Sequence, residues 1–362
     1  MIMRQHFIFL LLLFFFLSPL HANEYSDKYT LGRGVTLYEK NQLQLTLAGH
    51  LSLKYKTSYF DTIETTINTT NHFGIENAAI MFYGSYTSYF SFLLEYGNEN
   101  LFSYENSMLQ SDTTSSQNLE LRRFYTDITL DESVNLKLGR FLIPIGIYNP
   151  TYINALRWSN IRPLVAEEFF PDIITGVQLH GTVAQSIEYS IFTQLQNSEA
   201  VSTSRIPISK FSGGELRYAF GLLSRVALNY GQYKSDTFKE ICVFGGANTL
   251  VELDESEFSA ELLYKDGKWG TNTTTQTWWK DLSWYTQYVH NIYEKQYLSF
   301  RIGQKIRDGV NKASWDERNV IGGYIYRENS ALSYKAEFRH LERTGGKAYT
   351  SDEVHISFSV LF

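Results

Sequence analysis

SDEVHISFSVLF, residues 351–362, decides the fold. Taken every second residue, Val354, Ile356, Phe358, Val360 and Phe362 make one apolar edge, and Glu353, His355, Ser357 and Ser359 make a polar one. Only an extended strand sends successive side chains to opposite faces. One greasy face and one wet face suit a strand that separates lipid from water, with the final aromatic at the interface.

The same period of two recurs along the chain. Leu43, Leu45, Leu47, Leu51 and Leu53 oppose Gln44, Thr46, His50 and Ser52. Phe90, Phe92, Leu94 and Tyr96 oppose Ser91 and Glu95; Val134, Leu136 and Leu138 oppose Asn135 and Lys137. Leu298, Phe300 and Ile302 oppose Ser299 and Arg301, and Leu332, Tyr334, Ala336 and Phe338 oppose Lys335, Glu337 and Arg339. Segments of this kind, about ten residues long, are the pattern of transmembrane β-barrel strands.

The connections alternate in length. Short turns are expected near 84–88, 130–133, 183–186, 219–222, 252–255, 291–296 and 328–331. Long ones are expected near 60–72, 98–118, 144–171, 197–210, 234–238, 266–280, 306–316 and 343–350. Barrels have short periplasmic turns and longer outer loops. The expectation is an all-β, transmembrane antiparallel barrel over 43–362 with sixteen strands. The count drops to fourteen if ICVFGGANTLV (241–251) is not a strand. A soluble sandwich would also alternate, since one buried face suffices, but it would not give this loop rhythm.

Composition agrees. Aromatic residues make up 16% of the chain, with 26 Tyr and 25 Phe against 6 Pro, which favours β-structure and membrane interfaces. Net charge is −6, which offers no basic footprint for nucleic acid. One cysteine, Cys242, permits no internal disulfide and no cysteine metal site, and no cofactor is implied. At the N-terminus, Arg4 and His6 precede FIFLLLLFFFLS (7–18) and then Leu20-His21-Ala22. A charged start, a short apolar core and a small-residue site predict a signal peptide over 1–22 and export. Residues 23–42 are expected to be a short periplasmic lead.

The longest connection, 144–171, carries Arg157, Arg162, Glu167 and Glu168 among Ile145, Ile147, Tyr148, Tyr152, Ile153, Leu156, Trp158, Ile161, Leu164 and Val165. So much apolar side chain predicts a loop folded inward against the wall. Around it, LKLGRFLIPIGIYN (136–149), IRPLVAEEFFPDIITGVQLHG (161–181) and WYTQYVHNIYEKQYLSFRIGQ (284–304) resemble Gram-negative porins, nearest the phosphate-selective porin O and P family. The resemblance implies a passive outer-membrane channel for small hydrophilic solutes or ions. It also implies a homotrimer surrounded by outer-membrane lipid, a third outer loop that narrows the pore, and a terminal Phe362 read by the assembly machinery.

Charge should matter most where the pore is narrowest, because an ion there has shed water and screening is weak. Arg157, Arg162, Glu167 and Glu168 are the constriction candidates, forming a transverse field and facing Arg123 and Lys137. Further lining candidates are Arg217, Arg225, Arg301, Lys335 and Arg339. A basic lean among inward positions suggests a weak anion preference, although mixed charges that pair across strands would say little about solute. Two other functions stay open: a barrel enzyme such as a phospholipase, and a non-conducting structural or adhesin barrel. Against the enzyme, His50, His72, His180, His290, His340 and His355 are scattered and no GxSxG occurs.

Overall fold

Alternating segments become strands, and each strand pairs with its sequence neighbour. The computed structural model describes residues 34–62, 65–107, 111–115, 119–166, 171–196, 208–221, 224–237, 239–269, 277–309, 314–346 and 348–362. The first strands are β1 (Val35–Lys40), β2 (Leu43–Thr62), β3 (Thr65–Tyr86), β4 (Phe90–Ser107), β5 (Ser111–Ser115) and β6 (Glu120–Asp131). Next come β7 (Val134–Leu142), β8 (Ile173–Val183), β9 (Ile187–Gln194), β10 (Lys210–Ala219), β11 (Arg225–Ser235) and β12 (Glu240–Leu253). The last are β13 (Ser256–Trp269), β14 (Thr277–Tyr293), β15 (Gln296–Gly309), β16 (Trp315–Asn329), β17 (Leu332–Thr344) and β18 (Tyr349–Leu361).

Sixteen of these, β2–β4 and β6–β18, form one closed antiparallel barrel. SDEVHISFSVLF closes it: β18 pairs with β2 from Tyr349↔Thr62 to Leu361↔His50. Phe362 then exchanges both backbone bonds with Gly49, at 2.8 and 2.9 Å. A Cβ at residue 49 would lie 2.4 Å from the Phe362 ring, so the glycine makes room for the terminal aromatic. Closure gives each of the sixteen strands a partner on both sides, the requirement for strands in a medium that cannot hydrogen-bond. The segment 241–251 is indeed within a strand, β12, which keeps the count at sixteen.

Outward and inward faces separate as the alternation requires. On β11, Val226, Leu228 and Tyr230 are exposed outward, while Ala227 and Asn229 between them are buried. On β18, Glu353, His355, Ser357 and Ser359 are buried on the inner face. Tyr334 packs on Phe358 outside, with ring centroids 5.1 Å apart.

Three features depart from simple alternation. First, the stretches 60–72 and 98–118 are largely strand rather than loop, because β2, β3 and β4 run on past the apolar band. Backbone pairing continues there although hydrophobic alternation has stopped. Second, residues 35–40 of the lead form β1, a hairpin partner of β2 turned at Asn41 and Gln42, both at positive φ. Third, the inner wall is not uniformly polar. Phe192, Phe211, Tyr233, Cys242, Phe244, Leu263 and Trp279, on β9–β14, join Ile143 and Ile145 in one buried apolar cluster. The apolar loop base needs such a partner, so this sector of the wall supplies it.

Candidate functional site: an inward loop bound to the barrel wall

The chain leaves β7 at Leu142 and re-enters the wall at β8. Pro144, Pro150, Pro163 and Pro171 stand within or at the end of the intervening segment. Proline cannot donate to a ladder, so continued strand is excluded. The base is closed by Ile143 N–H donating to Asp172 O at 3.0 Å, and Asn149 Nδ2 donates to Ile143 O at 2.6 Å. Short 3₁₀ turns follow at Asn154–Leu156 and Leu164–Ala166. Of the apolar residues expected to turn inward, Ile145, Tyr148, Tyr152, Ile153, Ile161, Leu164 and Val165 are buried, and Ile147, Leu156 and Trp158 are half-buried.

Wall carboxylates hold the first bend. Gly146 N–H donates to Glu215 Oε2 on β10 at 2.8 Å, and the Ile147 and Tyr148 amides donate to Glu261 on β13. Gly146 has φ +80°, and a Cβ there would lie 2.5 Å from Glu261 Oε1. Glycine is therefore required for both the turn and the approach of the carboxylate.

The next section is clamped through Tyr152. Its hydroxyl is 2.7 Å from His50 Nε2, and the guanidiniums of Arg122 and Arg123 each lie 4.8 Å from its ring centre. Glu95, with no exposed surface, binds Arg123 and lies 3.4 Å from His50 Nε2. Arg122 donates to Asn77 at 2.9 Å. Buried cations that meet both a carboxylate and an aromatic face have their desolvation offset twice.

Beyond Tyr152 the loop reaches the opposite side of the ring. Asn154 donates to Ser52 at 3.0 Å and Glu76 at 2.9 Å, and its carbonyl accepts from Lys335 Nζ at 2.6 Å. Glu337 accepts from Ser159 Oγ at 2.5 Å and Asn160 N–H at 3.0 Å. Asn160 also meets Lys335 at 2.9 Å and donates to Ser357. Arg301 donates to Ile161 O at 2.5 Å, and Arg327 to Arg157 O at 3.0 Å while covering the Trp158 ring at 3.8 Å. Carboxylates take loop N–H groups and cations take loop carbonyls, so the wall's charge is matched to the loop backbone.

Of the constriction candidates, Arg157 lies over the Tyr148 ring at 3.9 Å and donates to Tyr148 Oη at 2.9 Å, to Asn154 Oδ1 at 3.3 Å and to Thr151 O. Burial lowers its pKa from the usual arginine value, yet guanidinium remains charged in proteins. Arg162 forms a two-bond pair with Asp172, at 2.7 and 2.9 Å, and flanks Tyr148 at 5.7 Å. Glu167 and Glu168 lie outside the described residues.

All seven wall candidates point inward. Arg123 reaches the loop through Tyr152. Lys137 instead pairs with Asp127 at 3.3 Å over the Tyr125 ring. Arg217 bridges Glu188 and Glu215 at 2.7 and 2.8 Å, and Arg339 binds Glu353 at 2.7 Å. Arg301 and Lys335 hold the loop, and Arg225 lies on the inner face of β11.

Two anchoring charges escape a period-two reading because β-bulges reverse the parity. Glu76 is skipped in the register between Ile75 and Asn77, and Arg122 between Leu121 and Arg123. Each bulge places consecutive polar residues on the inner face. A charged residue next to another inward one was the available signal, and without the register it cannot be told from an outward residue at the rim.

The geometry defines a closed sixteen-stranded barrel of the outer-membrane kind, with an internal loop tied to its wall. Solved structures share this fold. The outer-membrane expressed OmpT of Vibrio cholerae superposes with TM-score 0.63 at 10% identity, covering 90% of this chain and 99% of that one. The outer membrane channel DcaP of Acinetobacter baumannii gives 0.60 at 11% identity over 91% and 99%. The anion-selective porin from Comamonas acidovorans gives 0.60 at 10% identity over 88% and 100%. No family model and no curated protein sequence matches the chain.

Proposed function

We propose that the chain is an outer-membrane porin, a passive water-filled channel for small hydrophilic solutes or ions, exported by its signal peptide. The observation that carries this reading is the inner wall: charged and polar side chains line a closed barrel whose outer face is apolar, and an internal loop is tied across the interior. The barrel supplies the path and loop 143–172 its narrowest section. No covalent chemistry is required, and solutes move down their gradients.

A weak anion preference belongs to the same reading. Arg157, Arg301 and Lys335 donate to neutral oxygens at the loop, whereas Arg123 and Arg339 bind carboxylates directly. Cations of this kind, partly stripped of water, favour a passing anion. A homotrimer is proposed by analogy with Vibrio cholerae OmpT, described in a trimer form. Phe362, exposed over Gly49, is proposed as the mark read by the assembly machinery. The test is conductance of the folded protein in planar bilayers, with stepwise insertion expected.

One observation favours the enzymatic alternative. Ser256 Oγ lies 2.9 Å from His290 Nδ1 and 2.8 Å from Tyr288 Oη, where β13 begins. A serine and a histidine in contact are two parts of a hydrolase. The hydrogen bonds described for His290 include no carboxylate to orient it, so the channel reading is preferred. Phospholipid hydrolysis abolished by Ser256→Ala would reverse that order.

A further inference from the structure

One cross-strand row on the outside of the barrel carries a charge pattern that the channel does not use. Reading across neighbouring strands, Lys210 pairs with Lys234, Lys234 with Ile241, Ile241 with Lys268, and Lys268 with Trp278. All five are exposed outward beside the long loops. Lys280 stands one row further in and is also exposed outward. Like charges placed directly opposite on one sheet face destabilise it, and Lys210 and Lys234 are so placed. Among the described residues, the acids on this outward sector are Asp236, 2.6 Å from Lys234, and Asp266, paired in register with Lys280. The outward rim of β16–β18 is different, with Arg318 bound to Asp316, His340 bound to Asp352, and Glu342.

Directly below the lysines the surface changes in the order a lipid does. The next outward row but one holds Tyr230 and Tyr264, both exposed, as expected of an interfacial girdle. The row beneath is Leu216, Leu228, Ala247, Leu262 and Trp284. The small Ala247 in this row and Ala260 in the next leave a furrow of about 690 Å³ between Leu228 and Trp284. Six residues of strand separate the lysine row from this row, roughly 20 Å at about 3.3 Å per residue.

We infer that this sector, β10–β14, binds a phosphorylated lipid of the outer leaflet: Lys210, Lys234 and Lys268 take phosphate, Trp278 and the tyrosines take the sugar or glycerol region, and an acyl chain lies in the furrow. Three lysines over three strand steps span roughly 15 Å at about 4.8 Å per step, enough for more than one phosphate. The inference rests on the outer-membrane reading and not on conduction.

The experiment uses the folded full-length protein in neutral detergent, with bound lipid counted by native mass spectrometry. The probes are a bis-phosphorylated acylated glycolipid, the same lipid after dephosphorylation, and inorganic phosphate. The expected result is at least about tenfold preference for the phosphorylated lipid, lost in Lys210→Gln/Lys234→Gln/Lys268→Gln and retained in Arg318→Gln, with no competition by inorganic phosphate. Ala260→Leu, which narrows the furrow, should weaken both lipids while preserving the phosphate preference. Equal binding of the two lipids would overturn the inference, as would full preference in the triple variant, or occupation of this face by a second copy of the chain. Lipid binding without conductance would refute the porin alone. Conductance without lipid preference would refute this site alone.

Discussion

Glu337→Gln tests whether the loop is held by the far wall. Glu337 is buried on β17 and accepts from Ser159 Oγ at 2.5 Å and Asn160 N–H at 3.0 Å. Hydrogen bonds to a charged group are worth about 1.5–3 kcal/mol each. Glutamine keeps one acceptor oxygen and the side-chain volume, so docking of residues 159–160 should weaken by about 2 kcal/mol. At 1.4 kcal/mol per factor of ten, the fraction of loops detached at this point rises about 30-fold. The substitution also removes a carboxylate whose charge acts on Lys335 and Arg301 at the same seam. Single-channel recording should therefore show more open-channel noise and a reversal potential shifted toward anions. Noise and ion preference identical to the unsubstituted protein would refute the reasoning, because they would mean that the contact neither holds the loop nor faces the ion path.

Other perturbations separate the parts of the account. Arg157→Ala should reduce anion preference and Arg162→Ala should loosen the loop base through loss of Asp172, both read as conductance and reversal potential; if neither changes in either variant, these residues do not set the pore. Glu95→Ala strands Arg123 and His50 in a buried site and should cost about 3–5 kcal/mol, measured as a lower thermal unfolding midpoint. Gly139→Ala forces a side chain onto φ +128° with its Cβ 2.2 Å from Phe124 O, and should cost about 1–3 kcal/mol in the same assay. A Gly139→Ala midpoint equal to wild type would show that the backbone of β7 relaxes there freely.

Much of the barrel is legible in single residues of the sequence because one physical rule governs it. Lipid selects Val354, Ile356 and Phe362 on one side, and the inner face selects Glu353, His355 and Ser357 on the other. The rule stops working where lipid stops. The outer ends of β2, β3 and β4 stay paired without an apolar face, so they read as loops. It also fails at Glu76 and Arg122, where one extra residue changes the face of its neighbours. The inward loop is legible from its apolar content, since Ile145, Ile161 and Leu164 would not be left on a surface. Its partners are not, because Glu261, Glu337 and Lys335 are brought to it only by closure of the ring. The apolar sector at Phe211, Tyr233 and Phe244 is hidden for the same reason: alternation says these residues face inward, and only the loop base explains why they are not polar.

As a porin, this barrel is proposed to conduct ions past its internal loop. Folded protein added to a planar bilayer under a salt gradient should insert in uniform conductance steps, with a reversal potential modestly on the anion side. A correctly folded barrel that inserts but passes no current would contradict the claim and leave a lumen closed by loop 143–172.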